Sequence, residues 1–132
     1  MALLSSLPAL ALEELELAAY AEARTIEVVT KDEDGSLRET TIWIAVVDGA
    51  AYINTNATTW GENVERTPRL EVRQGDSTRT FDILFLTDAE ARHKVQEAFR
   101  KKYGFQDKLI GFFMDESKAT IMQLVDWMEE AR

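Results

Sequence analysis

The sequence predicts a mainly β fold of the α+β class, in which a small antiparallel barrel is flanked by helices. About six short segments with strand-like patterns follow one another, and tight-turn signals such as Asp34-Gly35 and Asp48-Gly49 separate them. Helical periodicity is confined to the N-terminal segment and one stretch in the C-terminal half. Tight turns favour an antiparallel barrel, because parallel strands need long crossover connections.

Composition indicates one globular domain over residues 1–132, since 45% of the residues are hydrophobic and 30% are charged. The chain has no cysteine, which excludes disulfides and thiolate metal sites, and one histidine, which argues against a histidine metal centre or a Ser-His triad. The apolar N-terminal run lacks basic residues and soon meets Glu13 and Glu14, so we expect neither a signal peptide nor a membrane span. A cytoplasmic location is the expectation.

The net charge of −9 argues against nucleic acid as a partner, because binding to phosphates depends on lysine and arginine. The charge is uneven along the chain. Residues 1–37 carry eight acidic and two basic side chains, whereas residues 38–79 carry six acidic side chains and five arginines. An anionic small molecule would therefore prefer the middle third, although a solvated acidic helix also explains the imbalance.

The first predicted elements are a helix and a hairpin. Pro8 can start a helix over 9–23, because proline is tolerated in a first turn. The β-branched run 25–30 predicts a strand, and the turn at 32–36 leads into a second strand over 37–47.

Alternation along the second strand places two apolar sets on opposite faces. One set is Ile42, Ile44 and Val46, and the other is Trp43, Ala45 and Val47. A small barrel fills its interior with side chains, so the outward set needs a covering helix or a second subunit. A homodimer is the simpler expectation.

The remaining elements continue the antiparallel pattern. A capping-box signal at Thr87-Asp-Ala-Glu90 opens a helix that Gly104 ends. The predicted elements, in order, are a strand at 51–54, a short helical turn at Trp60 stopped by Pro68, a strand at 70–73 with Leu70 and Val72 inward, a strand at 78–86, the helix at 88–103, a helical turn near 107–113, a strand at 120–125 and a tail at 126–132.

The loop at 54–61 is the first candidate binding segment. It places two amides and three hydroxyls between apolar strands, and Thr59 is predicted to cap the following helical turn. Such groups can hold a phosphate or a ring edge beside the N–H groups of a helix start. Asn and Thr are also ordinary turn residues, so a purely structural role stays open.

Three further side chains are candidates for the same site. Trp60 and Asn63 lie three residues apart, so a helical turn places an aromatic wall beside an amide. Arg38 can fork onto a phosphate. The alternatives are a core position for Trp60 and a surface ion pair of Arg38 with Glu39 or Glu27.

Other chemistries lack a matching pattern. The acidic segment 32–36 is shorter than the EF-hand loop of about twelve residues and lies where a hairpin turn is required. His93 stands between two basic residues on an amphipathic helix, which is typical of a solvated face. We assign no catalytic residue and no metal site.

The middle of the chain resembles the FMN-binding split-barrel superfamily, which includes pyridoxamine-phosphate-oxidase-like and deazaflavin-dependent nitroreductase-like proteins. The resemblance covers residues 25–125. It rests on the segments Arg38-Glu-Thr-Thr-Ile-Trp43, Asp48-Gly49, Tyr52-Ile-Asn-Thr-Asn56, Trp60-Gly-Glu-Asn63 and Thr67-Pro-Arg-Leu-Glu-Val72.

The resemblance implies a six-stranded split barrel that forms a homodimer and holds FMN or a deazaflavin in a groove between the subunits. By position, Arg38, Thr40, Thr41 and Ile42 would line the strand beside the ring and phosphate. The post-strand loop that grips the phosphate would contribute Thr55, Asn56 and Thr59, and the site would be closed by Trp60 and Asn63.

Two departures from the superfamily pattern weaken the implied phosphate site. Deazaflavin binders usually carry a Gly-Arg-Lys-Ser/Thr-Gly turn where this chain has Lys31-Asp-Glu-Asp-Gly-Ser36, and Trp60-Gly61 replaces the Arg-Lys pair of many FMN-binding members. Two functions therefore stay open. One is a flavin- or deazaflavin-dependent oxidoreductase, and the other is a cofactor-less homodimer that acts as a ligand-binding or stress-related protein.

Overall fold

The computed structural model describes residues 14–104 and 119–126. They form one antiparallel sheet of seven strands, accompanied by three helices. The predicted helix residues 9–13, the predicted turn near 107–113 and the tail at 127–132 lie outside this part. The strands are β1 (Ile26–Lys31), β2 (Leu37–Ile42), β3 (Ala45–Val47), β4 (Ala50–Thr55), β5 (Arg69–Gln74), β6 (Ser77–Phe85) and β7 (Thr120–Asp126), and the helices are α1 (Glu14–Glu22), α2 (Thr59–Arg66) and α3 (Ala89–Tyr103).

The sheet curls into a barrel because its two edge strands are consecutive in the chain. The strand order is β2-β1-β5-β6-β7-β4-β3, so β2 and β3 lie at opposite edges. Only Trp43 and Ile44 separate them. Three Cα steps bring the edges within about 11 Å of each other, which a flat sheet could not do. The predicted α+β class with an antiparallel barrel is confirmed.

The predicted strand over 37–47 is interrupted, which accounts for seven strands where six were predicted. The interruption lies at Ile44, whose backbone N–H donates to the Tyr103 hydroxyl at 3.0 Å. The Ile44 carbonyl accepts from the Lys102 ammonium at 2.6 Å and from the Tyr103 hydroxyl at 3.0 Å. Side chains of α3 therefore replace strand partners at this residue.

The predicted alternation nevertheless holds across the break. Ile44 is fully buried in the barrel core, and Ile42 and Val46 pack against that core. Trp43, Ala45 and Val47 belong to a second cluster on the outer side of the sheet. Leu70 and Val72 are buried in the barrel, as predicted.

Helix α3, not a second subunit, covers the outward apolar face of β3. The Trp43 and Tyr103 rings stack with centroids 3.9 Å apart and an interplanar angle of 5°. The helix begins after Asp88, whose carboxylate accepts from the Ala91 N–H at 2.9 Å, so Asp88 rather than Thr87 is the cap. This face therefore does not require a second subunit to cover it, and the homodimer stays a prediction.

Helix α1 is fixed to the barrel by a charged cluster. The Arg79 guanidinium donates to the carboxylates of Glu16 and Asp126 and lies 5.0 Å from the centre of the Phe81 ring. Tyr20 packs edge-on against Phe81.

Within the described part of the chain, no helix combines the length and the apolar character needed to cross a bilayer.

Tyr20 is expected to make the fold sensitive to alkali. Burial, with a smaller contribution from Glu16, raises the pKa of Tyr20 from 10.0 to about 12. Between these values the unfolded chain loses the phenolic proton while the folded chain keeps it, so the free energy of unfolding falls as pH rises from 10 to about 12. Urea unfolding across this window should show a shallower decline for Tyr20→Phe. Equal slopes for the two proteins would contradict the prediction.

Candidate functional site

Helix α2 begins at a threonine cap. Thr58 has an extended backbone, and its hydroxyl oxygen accepts from the Gly61 N–H at 3.1 Å. The predicted cap, Thr59, is instead the first helical residue. Thr59 and Glu62 match the capping-box spacing, which explains the error of one residue. The predicted stop at Pro68 is confirmed, because the helix ends at Arg66.

A cavity of about 220 Å³ opens beside the start of α2. It lies between this helix, the end of β4 and the beginning of β7. Its lining residues are Thr55, Asn56, Ala57, Thr58, Gly61, Glu62, Glu65 and Thr120.

Two of the three threonines that line this cavity, Thr55 and Thr58, use their hydroxyls for bonds within the protein itself. The Thr55 hydroxyl donates to the Asn56 carbonyl oxygen at 3.0 Å. The Thr55 and Thr58 oxygens are 2.7 Å apart. Because each hydroxyl has one hydrogen, Thr58 must be the donor in that contact. A phosphate accepts hydrogen bonds but donates few, so neither hydroxyl is available to grip it.

One residue of the cavity lining, Asn56, carries a buried acceptor. Asn56 Oδ1 is buried, yet it has no hydrogen-bond partner within the described residues. Buried polar atoms in native proteins almost always have partners, so an unpaired one calls for an explanation such as a ligand. Gly61 permits the close approach here, because a Cβ atom at this position would lie 2.8 Å from the Thr55 methyl carbon.

A polar network lies on the other side of α2. The Asn63 amide nitrogen donates to Thr30 Oγ1 at 3.0 Å and to Asp32 Oδ1 at 2.8 Å. The Asn63 amide oxygen accepts from Arg66 at 2.7 Å. Asn63 is 4% exposed. Its polar groups therefore tie the turn between β1 and β2 to α2.

Arg38 is held by the same turn. Its Nε and Nη2 atoms donate to the two carboxylate oxygens of Asp32 at 2.9 and 3.1 Å. The predicted partners, Glu39 or Glu27, are therefore wrong, and Glu39 instead accepts from Arg73. The hydrogen bonds from Arg38, and then from Asn63, lower the pKa of the Asp32 carboxyl below 3.8. This carboxylate stays ionised at neutral pH.

The remaining predicted site residues are dispersed. Thr40 lies opposite Val28 and Thr41 opposite Glu27, so strand alternation directs the two threonines to opposite faces. Ile42 packs at the barrel core, and Trp60 is 5% exposed within that core. Trp60 and Asn63 share a helix face as predicted, but that face is buried.

The sequence did not predict several residues of the cavity and of the polar network on the other side of α2. Thr58, Glu62 and Glu65 line the cavity, whereas Thr30, Asp32 and Arg66 complete the network. Hairpin pairing was a usable signal for one of them. Thr30 lies opposite Arg38 in the register, which puts Asp32 within reach of the Arg38 side chain.

Family and structure comparisons agree with this fold. The sequence profile of the family described as "Uncharacterized protein conserved in bacteria (DUF2255)" matches residues 16–124. The chain belongs to this family. None of the curated proteins matches the sequence.

Solved structures extend the comparison beyond the DUF2255 family. The conserved hypothetical protein Rv2991 from Mycobacterium tuberculosis is 22% identical, with a TM-score of 0.66 over 92% of this chain and 85% of that one. The heme storage protein HutZ from Vibrio cholerae is 13% identical, with a TM-score of 0.65 over 87% of this chain and 90% of HutZ. A FAD-binding protein from Mesorhizobium loti is 16% identical, with a TM-score of 0.57 over 89% of this chain and 91% of that one. The resemblance to the FMN-binding split-barrel superfamily is confirmed for the fold.

Proposed function

We propose that this DUF2255 member binds a flavin- or deazaflavin-type ring at the cavity beside α2, in a site completed by a second copy, and acts as an oxidoreductase-like protein. The observation that carries the proposal is the buried Asn56 Oδ1 atom, which has no partner within the described residues and belongs to a residue that lines that cavity. Such an acceptor suits a ligand that brings an N–H or O–H donor.

The ring end of a flavin matches this acceptor. A flavin carries an N–H group between two ring carbonyls, and its ribityl chain carries hydroxyls. Either donor can pair with Asn56 Oδ1 without displacing the bonds that Thr55 and Thr58 make within the loop. A FAD-binding protein shares the fold, which supports the same ligand class.

The size of the cavity supports a second copy as part of the site. Pockets for small organic ligands usually measure about 300–1,000 Å³. The cavity here measures about 220 Å³, so a three-ring system bound in it would protrude. A partner subunit would cover the protruding part and exclude water from it. The described residues of one chain supply only part of such an enclosure.

The proposed chemistry belongs to the cofactor, and the chain supplies binding. When bound, a flavin or deazaflavin supplies hydride transfer. Asn56 would orient the ring, and the rigid Thr55–Thr58 loop would hold that amide in place through its internal hydrogen bonds. This division of roles is consistent with the absence of a triad pattern in the sequence.

A haem ligand is less well matched, although HutZ shares the fold. The single histidine of the chain, His93, has a side chain that is 73% exposed on α3 and is absent from the cavity lining. His93 is therefore not placed to ligate a haem iron at the cavity, and such an iron would need a ligand other than this imidazole.

The second candidate function is a cofactor-less split barrel that acts as a ligand-binding or stress-related protein. The pairing of Arg38 with Asp32 favours it, because the predicted phosphate cation is already neutralised. The carboxylates of Glu62 and Glu65 beside the cavity favour it as well. Binding measurements separate the two functions.

The decisive experiment is a fluorescence titration of the purified protein with riboflavin, FMN and a deazaflavin. Saturable binding of at least one ring is expected. Asn56→Ala should weaken that binding by about 0.5–1.5 kcal/mol, the usual net contribution of one hydrogen bond. The same change should leave the free energy of unfolding nearly unaltered, because the Asn56 Oδ1 atom makes no bond within the described chain.

Asn54→Ala is the matched control, since Asn54 lies on the neighbouring strand outside the cavity lining. It should not change ring affinity. No saturable binding of any of the three rings would refute the proposal and leave the cofactor-less alternative. Equal weakening by the two alanine variants would remove Asn56 from the site.

A further inference from the structure

We propose that the molecule which meets the ring at this cavity is an organic cation with N–H donors, attracted by the carboxylates of Glu62 and Glu65. The inference rests on the proposed function and names the substrate class of the same site. Binding of such a cation can also be measured without a ring, so the cation and the ring can be tested separately.

The cavity itself points to a ligand. Its lining includes Asn56, whose buried Oδ1 atom has no partner within the described residues, and buried polar atoms rarely lack one. Its volume is about 220 Å³. One molecule of liquid water takes about 30 Å³, so the cavity has room for an organic group rather than for a single ion. The charge of the molecule that approaches it depends on the rest of the lining.

The charged side chains among the described lining residues are both acidic. Glu62 and Glu65 lie three residues apart on α2, so they share one face of the helix. Both are exposed, and neither forms an ion pair within the described part of the chain. Two carboxylates are therefore available to a cation at the mouth of the cavity.

Two arginines approach the elements that form the cavity but are bound to other groups. Arg66 of α2 donates to the Lys31 carbonyl oxygen at 2.9 Å and to the Asn63 amide oxygen at 2.7 Å. Arg92 of α3 donates to the Ala119 carbonyl oxygen at 2.7 Å. Neither arginine belongs to the cavity lining, so the two carboxylates keep their negative charge uncompensated there.

The start of α2 offsets this negative charge only in part. The N-terminus of a helix carries about half a positive elementary charge. The Gly61 N–H at this start is already bonded to Thr58. Two carboxylates carry two full negative charges, so the sum favours a cation over an anion. An ammonium or amidinium group matches best, because its N–H donors form charge-assisted hydrogen bonds with carboxylates.

The test uses probes that share a phenyl ring and differ in charge, namely protonated benzylamine, benzyl alcohol and benzoate. Dissociation constants are measured from NMR shifts of the backbone amides of α2 at low ionic strength, with and without saturating riboflavin. The variants are Glu62→Gln, Glu65→Gln and Glu33→Gln. Glu33 is the matched control, because it is exposed and acidic but lies between β1 and β2, outside the cavity lining.

We expect the unmodified protein to bind benzylammonium about tenfold more tightly than benzyl alcohol, and benzoate more weakly than either, since two exposed carboxylates each contribute about threefold. Glu62→Gln and Glu65→Gln should each reduce this preference about threefold, whereas Glu33→Gln should leave it unchanged. The same order should hold with riboflavin bound. Added salt should reduce the preference, because exposed charges are screened.

Equal affinity for the three probes, or tightest binding of benzoate, would overturn the inference. An equal loss of preference in Glu33→Gln would overturn it too, because net charge would then explain the result. Loss of the preference once riboflavin is bound would show that ring and cation compete, and would refute the substrate class alone. A protein that binds the cation through Glu62 and Glu65 but binds no riboflavin would refute the proposed function and retain the cation site.

Discussion

Replacing Tyr103 with phenylalanine is expected to lower the free energy of unfolding by about 1–3 kcal/mol, the cost of a buried polar group left without its partner. The lost hydroxyl accepts from the N–H of Ile44, a residue with no exposed surface. It also contacts the carbonyl oxygens of Arg24 and Ile44 at 3.0 Å. These bonds hold the junction at which the chain passes between the two edges of the barrel sheet.

Tyr103→Ala should cost more, about 3–5 kcal/mol, because it also removes the ring that stacks on Trp43. Both variants are measured by urea unfolding. Tyr52→Phe is the control, since Tyr52 belongs to the same outer cluster but is only half-buried. A Tyr103→Phe variant as stable as the Tyr52→Phe control would show that the hydroxyl does not secure the junction.

Asn63→Ala is expected to destabilise the protein by about 2–3 kcal/mol. The change leaves the Thr30 hydroxyl and the Arg66 guanidinium without their amide partner and deprives Asp32 of one donor. Thr30 is 5% exposed, so water cannot easily replace the lost bond. The loss should be visible as a lower midpoint of urea unfolding at an unchanged slope.

Asn54→Ala again serves as the comparison, because Asn54 is half-buried on β4 and should change stability by less than about 0.5 kcal/mol. If the Asn63 and Asn54 variants unfold at the same midpoint, the hydrogen bonds of the Asn63 amide do not stabilise the fold. That result would favour the other role of Asn63, the closing of a ligand site that the sequence resemblance implies.

Local patterns were sufficient to predict most of the fold. Turn residues placed the hairpins, and the predicted turn at Asp48-Gly49 has positive φ values of 50° and 80°. Alternation assigned Leu70 and Val72 to the interior. These features depend on neighbours in sequence, which is why a single chain reveals them. The interruption at Ile44 depends on Tyr103, which is 59 positions away, and no local pattern reports such a contact.

The candidate site was less predictable, because its chemistry depends on how elements meet. Helical spacing correctly put Trp60 and Asn63 on one face, but it could not tell a face toward a groove from a face toward the barrel core. A cation such as Arg38 looks available until the hairpin brings Asp32 against it. Likewise, the donors of Thr55 and Thr58 look free until the folded loop pairs them.

The most direct test of a ring held between two copies is sedimentation velocity with riboflavin, followed at the visible absorption band of the flavin. The protein chain has a mass of 15.0 kDa. We predict that the flavin absorbance sediments with a species of twice that mass at micromolar protein concentration. Flavin that stays behind as free ligand, or that sediments only with a species of single-chain mass, would contradict the account.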